Sequence, residues 1–439
     1  MSSSLLVGAA EIDITPPFGA KMAGALYPRP SEGAADPLFV KAIVLEGNGV
    51  RMAYAIFDLV ALDRAIGDRL TAAASAATGI PAEHIVWSCS HTHSGPCTLD
   101  LFPRGTPNPL DHAWLDALPG QFAACVAEAD HNKAPMRVSR VRGYHSGLSH
   151  NRRLRYKDGR EINTWLLNNG EDELQCAGAA GPIDPEIGML AFDDEAGALR
   201  AVLFQFSLHA NARWDGKLSA EYPAVVAARL REAFGPQVIT LFLPGACGDQ
   251  NPVASYRDIG NGIAEVMLPQ LRKRKPLEDV TLGIAAKRVA LPLRDTNIDQ
   301  EERLQQSQWP PEVQHFFRDT QAALREDSRT QVETLLHAWH IGEVSFATFP
   351  GEAFVELGIR LKRESPFPWT YPVELCNDCL GYLITEQAWE AGGYEALVSS
   401  VGLVTPEGSG MIVDHDLEML HQLNSASPWD RRRPAPARS

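Results

Sequence analysis

The segment VWSCSHTHSGP, residues 86–96, passes from an apolar run into a turn rich in serine, glycine and proline. The apolar start predicts a buried strand, and two histidines, His91 and His93, stand where that strand should end. In an extended chain alternate side chains lie on one face, so this spacing predicts that both imidazoles project together. Polar residues at the end of a strand would explain the pair on their own, and a metal site is the alternative.

Length and composition predict a globular catalytic protein. Of the 439 residues, 45% are hydrophobic and 22% are charged, which is ordinary for a folded domain. We expect one large domain over residues 1–425, with a possible subdivision near residue 275, where the pattern of apolar and polar residues changes. The segment 426–439, which ends in RRRPAPARS, is expected to be a disordered tail.

Charge and cysteine usage narrow the class of partner. A formal net charge of −15 argues against nucleic-acid and anionic-membrane partners, because both require basic patches. The start, MSSSLLVGAAEIDITPPFG, lacks the basic region of a secretory signal, and no later run approaches a membrane span. Seven scattered cysteines, including the lone pair Cys376 and Cys379, do not form a disulfide framework. We therefore predict a cytoplasmic protein that acts on a small molecule, with a homo-oligomer possible.

The order of elements predicts an α/β fold with mixed sheet pairing. Apolar runs that predict strands alternate with amphipathic segments that predict helices. The predicted strands include 51–62, 84–90, 199–210 and 343–352. The segment 237–252 is predicted to be a strand that runs into a Gly-rich turn, and the region 299–327 is expected to be helical. In α/β proteins ligands gather at the carboxyl ends of strands. His91, His93, His209 and Glu352 all stand at such ends, as does the turn GACGDQNP.

Each of these residues has an ordinary explanation when taken alone. A single histidine such as His209 is more often hydrogen-bonded in a core than bound to metal. A glutamate such as Glu352 is favoured in the first turn of a helix by the helix dipole. Their combination at separate strand ends favours a metal site, because imidazole and carboxylate ligands with one open position are typical of catalytic zinc.

Seven motifs also occur in the order found in the neutral, non-lysosomal ceramidase family. They are GAAEIDITPPFGAKMAG, DPLFVKAIVLE, SHTHSGP, NRR, PGACGDQNP, FPGEAF and GYLITEQAWEAGGYE, and they extend from about Val7 to about Tyr394. This chain thus resembles that family over most of its length. The resemblance implies the family's mixed-sheet α/β catalytic domain and one zinc ion. The zinc ligands that it implies are His91, His209, Glu352 and Tyr382.

The same resemblance implies that His93, Arg152 and Tyr394 contact the substrate carbonyl or its oxyanion. These side chains suit amide hydrolysis, which needs donors aimed at the developing oxyanion and a group that transfers protons. Zinc lowers the pKa of a bound water to near 7 and so supplies a nucleophile at neutral pH. The composition of the triplet 151–153, NRR, favours an exposed basic turn. The resemblance implies a functional role for Arg152 alone among the three residues.

The chain departs from the family in three respects. Asn251 replaces a serine in the motif GDQNP, the long apolar insertions expected for binding a two-chain lipid are not evident, and only 45 residues follow Tyr394, where ceramidases carry an immunoglobulin-like domain. We therefore predict a zinc-dependent hydrolase that cleaves the amide C–N bond of a small, soluble, polar substrate. The alternatives are an esterase, a deacylase or a lyase on the same scaffold, a true ceramidase, or a binding protein without activity. The last is disfavoured because all four ligand types are present.

Some other residues carry weaker expectations. Asp58, an acid in an apolar run, is expected either to pair with a ligand histidine or to be a structural hydrogen-bonding centre. Glu221 is expected to cap the following helix. Cys247 is expected to be a small buried residue at a tight turn, and His337 and His340 are expected to be structural.

Overall fold

The computed structural model describes residues 5–25, 29–99, 110–166, 175–306 and 309–426. Of the predicted tail 426–439, only Ala426 falls within these ranges, and it ends a helix. None of the helices in this part of the chain is long and apolar enough to cross a bilayer. The division into domains, including a boundary near residue 275, stays a prediction.

An eight-stranded mixed sheet, called here the large sheet, is the centre of the described structure. Its strands, in spatial order, are Ile239–Pro244, Leu199–Phe206, Glu186–Asp193, Ala134–Tyr144, Leu5–Asp13, Phe39–Gly47, Val50–Phe57 and Ile85–Cys89. The first two strands pair in parallel, as do the last two, and the other neighbours are antiparallel. The parallel pairs therefore lie at opposite edges, and both lead into polar loops.

The large sheet curls until its two edges approach each other. Tyr54, in the strand next to one edge, donates a hydrogen bond of 3.2 Å to the carbonyl of Phe242, in the strand at the other edge. Just beyond the strand ends, Thr92 and Ala210 form an isolated parallel bridge. The loop that follows one edge strand therefore meets the loop that follows the strand next to the other edge.

Helices cover one face of the large sheet and a second sheet covers the other. Two helix pairs lie on the first face: Arg64–Thr78 with His112–His131, and Tyr222–Phe234 with Tyr256–Arg272. The second sheet has the strand order Leu282–Pro292, Gln331–Ile341, Val344–Thr348 and Trp369–Val373. The helix Pro406–Ala426 packs on its outer side. The result is four layers, in the order helices, sheet, sheet and helix, and the predicted mixed-sheet α/β class is confirmed.

Shorter elements complete the described structure. The remaining helices are Glu301–Gln306, Pro311–Leu324, Val355–Glu364 and Glu386–Ala391, with 3₁₀ turns at Ala82–His84, Thr164–Leu166 and Tyr394–Ala396. A three-stranded ladder has Arg153–Tyr156 at its centre, between Glu161–Asn163 and Cys176–Ala179. The remaining two-stranded ladders are Ser149–Asn151 with Gln250–Pro252, Glu352–Ala353 with Tyr382–Leu383, and Lys21–Met22 with Arg29–Pro30. The helical prediction for 299–327 thus corresponds to two helices.

The apolar runs predicted as strands extend beyond the strands that form. The run 51–62 is a strand only to Phe57, and the run 199–210 only to Phe206. Residues beyond these ends, such as Leu62 and Leu208, are still buried. A buried loop gives the same apolar pattern as a buried strand, so the pattern alone does not locate the strand end.

The core between the two sheets depends on Trp339. Its indole is fully buried and stacks on Tyr54 of the large sheet at 5.7 Å and on Phe346 of the second sheet at 4.9 Å, centroid to centroid. We expect Trp339→Ala to lower the free energy of unfolding by about 3–5 kcal/mol, because it removes this packing and leaves a cavity. Denaturant titration measures the loss. Phe18→Ala, at a side chain that is 83% exposed, is the control and should change stability by less than about 0.5 kcal/mol. Equal losses in both variants would contradict this account of the core.

Candidate metal centre

Three imidazoles and one carboxylate converge where the edges of the large sheet meet. The Nε2 atoms of His91 and His93 are 3.2 Å apart. Glu352 Oε2 lies 3.2 Å from Nε2 of His91 and 3.2 Å from Nε2 of His209. Potential ligand atoms of the three histidines all lie within 4.8 Å of one another, as a metal site requires. His91 and His209 are buried, whereas His93 is half-buried.

The opposite nitrogen of each imidazole is held by the main chain. The distances from Nδ1 to the carbonyl oxygen are 2.9 Å for His91 and Val60, 2.9 Å for His93 and Gly24, and 2.6 Å for His209 and Cys247. A carbonyl can only accept, so in the neutral imidazole Nδ1 carries the proton and Nε2 keeps a lone pair. Second-layer bonds of this kind orient metal-ligating histidines. The donor set therefore fits a divalent cation that accepts nitrogen and oxygen ligands.

The two histidines of SHTHSGP converge for a different reason from the predicted one. The strand ends at Cys89, before either histidine, so the alternation of side chains along a strand does not apply. His91 instead has a positive φ of 59°, a left-handed conformation that is uncommon for residues other than glycine. This turn, followed by the bridge between Thr92 and Ala210, brings the two imidazoles together beside His209.

A separate ladder places Glu352 beside Tyr382. The strands Glu352–Ala353 and Tyr382–Leu383 are parallel, with Glu352 and Tyr382 directly paired in the register. Gly248 of the turn GACGDQNP packs against this ladder, and its N–H donates a hydrogen bond of 2.8 Å to the Ala353 carbonyl. A Cβ at position 248 would lie 2.5 Å from the Glu352 carbonyl oxygen, so the close approach requires glycine.

The electrostatics of the cluster set His91 apart from the other two histidines. Burial lowers the pKa of His91, but the Glu352 carboxylate outweighs burial and the net pKa is raised. Burial raises the pKa of Glu352, but the facing His91 and His209 hold it well below its usual range. Burial lowers the pKa of His209 to about 4, with Arg152 adding to the effect. Burial and the neighbouring His91 lower that of His93 as well.

Arg152 and Arg153 are buried side by side and share one carboxylate, Glu395. Arg152 Nε donates to Glu395 Oε1 over 2.9 Å, and Arg153 Nη1 donates to Oε2 over 2.5 Å. Glu395 also accepts from Asn163 Nδ2 at 2.7 Å, and Arg153 pairs further with Glu161. The NRR triplet is therefore not the exposed basic turn that its composition favours. Sequence reasoning missed Glu395, although it directly follows Tyr394 in GGYE and two buried arginines need a carboxylate.

Arg152 extends from Glu395 towards the cluster. Its Nη1 lies 3.2 Å from Nε2 of His209, and its Nη2 has no hydrogen-bond partner of good geometry, although it lies 2.9 Å from Glu395 Oε1. Arg152 also hydrogen-bonds to Tyr382, which in turn hydrogen-bonds to Tyr394. Burial works against the charge of Arg152, but Tyr382 and Glu395 raise its pKa, so it stays cationic. Arg152, Tyr382 and Tyr394 thus form one network beside the histidines.

A third buried arginine, Arg294, holds the backbone of this network. Its Nε donates to the carbonyl of Val404 at 2.9 Å, Nη1 to those of Glu395 at 3.0 Å and Leu397 at 2.8 Å, and Nη2 to that of Tyr382 at 3.4 Å. Burial, with Arg303 nearby, lowers the pKa of Arg294 to about 9. Arg294 ties the strand that carries Tyr382 to the turn that carries Glu395.

The cluster opens into a cavity of about 840 Å³. His91, His93, Arg152, Glu352, Tyr382 and Tyr394 all line it. The wall around Tyr394 is apolar and includes Trp165, Trp309, Val313, Phe316 and Val401. The other wall includes Asn211, Trp214, Asn251, Pro252 and Val253. The charged groups of this lining are therefore concentrated at the histidine end.

The weaker expectations have mixed outcomes. Cys247 is buried as expected, and burial raises the pKa of its thiol. His337 and His340 are buried in the second sheet and bond to backbone oxygens, which is a structural role. Asp58 does not pair with a ligand histidine: it accepts from the Phe39 N–H and faces Lys41, so the structural alternative is the one observed.

Glu221 stands at the start of the predicted helix but does not cap it. Its side chain makes no capping bond to Tyr222–Phe234. It accepts instead from the N–H of Ala212 at 2.7 Å and from Ser94 Oγ at 3.2 Å. Its φ of 55° turns the carboxyl group away from the helix. Glu221 thus joins the loop of His93 to the loop that follows His209.

Comparison with known proteins identifies the fold. No protein-family model matches the sequence, and no curated protein matches it. The structure of neutral ceramidase from Pseudomonas aeruginosa matches with a TM-score of 0.73 and 17% identity, over 98% of this chain and 76% of that one. A structure described as ceramidase complexed with C2 matches with a TM-score of 0.72 and 16% identity, over 99% and 77%. This chain has the neutral ceramidase fold.

That likeness confirms the resemblance that the motifs indicate, at the level of fold. In this neutral-ceramidase-like fold, six of the seven predicted site residues line one cavity. The seventh, His209, lies behind the lining, with its Nε2 atom 3.2 Å from Glu352 Oε2. The assignment of four of them as ligands and three as substrate contacts stays a prediction. The structure gives His93 the same orientation towards the cluster as His91 and His209, so geometry alone also allows three histidine ligands.

Metal content distinguishes the two ligand sets. We expect about one zinc per chain in protein that has not met a chelator, and we expect His91→Ala to lose it. His93→Ala should keep the metal if His91, His209, Glu352 and Tyr382 are the ligands. Elemental analysis of folded variants, checked by circular dichroism, measures this. Loss of zinc from His93→Ala would establish the three-histidine set instead, and absence of metal from the wild type would contradict both.

The carboxyl group of Glu221 predicts a pH-dependent stability. Burial raises its pKa to about 8, above the ordinary value of 4.5. The folded protein therefore binds more protons than the unfolded chain between these values, so the stability associated with this proton falls as pH rises through that window. In Glu221→Gln the amide can accept from Ala212 and donate to Ser94 without titrating. We expect the variant to lose less stability between pH 5 and pH 8, by on the order of 1–3 kcal/mol.

Urea titrations at several pH values measure this difference. Glu390→Gln, at an exposed position, is the matched control and should keep the wild-type pH dependence. If Glu221→Gln follows the wild-type curve as well, Glu221 is ionised in the folded protein and the expectation is wrong.

Proposed function

We propose that this protein is a zinc-dependent hydrolase that cleaves the C–N bond of an amide. The observation that supports the proposal most strongly is the convergence of His91, His209 and Glu352 next to Arg152 and Tyr394 in one cavity. Two nitrogen ligands, a carboxylate and a neighbouring phenol form a donor set typical of zinc that retains an open position. The likeness in fold to neutral ceramidases agrees with this chemistry.

In the proposed site His91, His209, Glu352 and Tyr382 hold the metal. When bound, zinc would polarise a carbonyl and lower the pKa of a water molecule. The main-chain carbonyls behind the histidines fix their orientation, and the turn at Gly248 fixes the Glu352 ladder. The ligand set therefore depends on four loops that the fold holds together before any metal is present.

Arg152 and Tyr394 stabilise negative charge on the substrate oxygen. During amide hydrolysis the carbonyl oxygen gains charge as a water oxygen bonds to the carbon. Arg152 has an N–H group without a good hydrogen-bond partner, and Glu395 fixes the direction of its guanidinium. Tyr394 is held by Tyr382 and by the apolar wall, where fewer water molecules compete for its hydroxyl. Both donors are thus oriented before substrate binds.

His93 transfers the proton that bond cleavage requires. When the C–N bond breaks, the nitrogen must gain a proton to leave as an amine, and the attacking water must lose one. The lowered pKa of His93 means that it is neutral before reaction, so the lone pair on its Nε2 is free to take up the proton of the water and pass it to the leaving nitrogen. The Gly24 carbonyl holds the Nδ1 proton, so Nε2 is the atom that exchanges it.

The cavity favours a compact substrate that carries an apolar group. Its volume of about 840 Å³ lies in the range of small-molecule sites. Of Trp309, Val313 and Phe316, only Trp309 has a hydrogen-bonding group, its indole N–H. We therefore propose a small, uncharged amide with an apolar part, whereas the sequence predicts a small, soluble, polar substrate. Long-chain ceramide should be a poorer substrate than such compact amides.

A substrate panel with matched variants tests the proposal. Zinc-loaded protein should hydrolyse short N-acyl amides with a larger kcat/KM than long-chain ceramide in detergent. Relative to the uncatalysed rates, kcat/KM should also be larger for these amides than for the corresponding esters. His93→Ala and Arg152→Gln should each lower kcat by on the order of 10²-fold or more while the zinc content is kept. Arg160→Gln, at an exposed hairpin position, is the control for Arg152 and should stay within about twofold.

Three results would contradict parts of this proposal. Absence of hydrolysis of any amide by zinc-loaded protein would contradict the function itself. A wide margin in favour of ceramide would make the protein a true ceramidase. Full activity in Arg152→Gln would remove that residue from the mechanism.

A further inference from the structure

Asn211 and Asn251 form a hydrogen-bonded pair in the cavity wall. Asn211 Nδ2 donates to Asn251 Oδ1 over 3.3 Å, and both residues line the cavity. Asn211 lies two residues after His209, whose N–H donates to the carbonyl of Gln250 at 3.2 Å. The main chain that orients the proposed ligand His209 therefore also fixes the two asparagines relative to each other.

The amide oxygen of Asn211 lacks a partner. Asn211 Oδ1 is buried and accepts no hydrogen bond from the described residues. The pair contact assigns Nδ2 as the donor to Asn251, so the unused atom is an acceptor. Buried acceptors are normally satisfied, and one that faces a substrate cavity is typically satisfied by the substrate. Asn211 is thus placed to accept a hydrogen bond from the occupant of the cavity.

The surroundings of the pair favour a neutral donor. Trp214, Pro252 and Val253 line the same wall. Arg152, the cation of the lining, is already paired with Glu395 and is aimed at the histidine cluster. A charged substrate group beside the asparagines would lose its hydration without gaining an opposite charge, which is unfavourable. A hydroxyl or an amide N–H loses far less.

We propose that Asn211 and Asn251 determine substrate specificity by binding a neutral hydrogen-bond donor, a hydroxyl or amide N–H, near the scissile amide. This inference rests on the proposed function, because it names the substrate of the same site. Asn211 makes the contact, and Asn251 is a positioning residue that holds the Asn211 amide in orientation. The side chain of Asn251 bonds to Asn211 and not to the histidine cluster, so its presence in place of the family serine alters specificity and not the chemical step.

Matched substrates can test the direction of this hydrogen bond. Two series of short N-acyl amides are compared. In each series the amide carries a hydroxyl, methoxy or methyl group two or three bonds from the scissile C–N bond, on the amine side in one series and on the acyl side in the other. Hydroxyl donates and accepts, methoxy only accepts, and methyl does neither. In one series we expect kcat/KM for the hydroxyl compound to exceed the other two by about tenfold or more.

Three variants separate binding from folding. Asn211→Leu, with Asn211→Ala as a second form if the first is unstable, should abolish the preference for hydroxyl. It should do so mainly by raising KM for the hydroxyl compound, with turnover of the methyl compound less affected. Asn251→Ala should weaken the preference, since Asn211 is then free to rotate. Asn261→Leu, in the helix Tyr256–Arg272 where Asn261 contacts Arg229, is the matched control and should keep the wild-type preference.

The outcomes distinguish this inference from the proposed function. Equal kcat/KM for hydroxyl and methoxy compounds in both series, or a preference that survives in Asn211→Leu and Asn211→Ala, would overturn the inference. If wild-type protein hydrolyses no amide, the proposed function fails. The zinc-loaded protein then still tests the pair by calorimetric titration of the same compounds: tighter binding of hydroxyl than of methoxy, lost in the Asn211 variants, supports it, and equal binding overturns it.

Discussion

The hydrogen bond from an imidazole Nδ1 to a main-chain carbonyl is the interaction on which the rest of this site depends. It occurs three times, and the three carbonyls, those of Val60, Gly24 and Cys247, belong to three separate loops. A carbonyl held by its own loop leaves the imidazole little freedom, so the position of each Nε2 follows from the backbone. The arrangement of ligand atoms is therefore as rigid as the loops, and the loops are as rigid as the curled sheet that joins them.

The local sequence pattern predicts the strands and helices of this fold, but it does not predict which strand ends lie close together in space. Alternating strands and helices, and polar residues at strand ends, are visible in the sequence because each arises from neighbouring residues. The strand that leads to His91 lies at one edge of an eight-stranded sheet, and the strand that leads to His209 is next to the other edge. Only the curl of the sheet, fixed by contacts such as Tyr54 with Phe242, brings those ends together. Curvature of this kind is a property of the whole sheet and leaves no local signature.

The site shows the same division between local and distant information. Motifs identify His91, Arg152 and Tyr394 because each motif is contiguous. The partner of Arg152 is Glu395, which is 243 residues away in sequence, so the two cannot be linked without a structure. The conformation of His91 was also missed, because the alternation rule assumes a strand that in fact ends earlier. Counting buried arginines against available acids would have indicated the need for a residue such as Glu395.

Two of the buried arginines, Arg294 and Arg152, have different roles in building the cavity. Arg294 is satisfied by backbone carbonyls alone, so it fixes the loops of Tyr382 and Glu395 without adding a charged partner. Arg152 is matched by Glu395, which leaves it cationic but locally balanced. Arg152 and Glu352, the Arg and the Glu that line the cavity, lie together at its histidine end. Under the proposed function, a neutral substrate would enter such a cavity with little loss of hydration, and the charge that develops at its carbonyl would form next to Arg152.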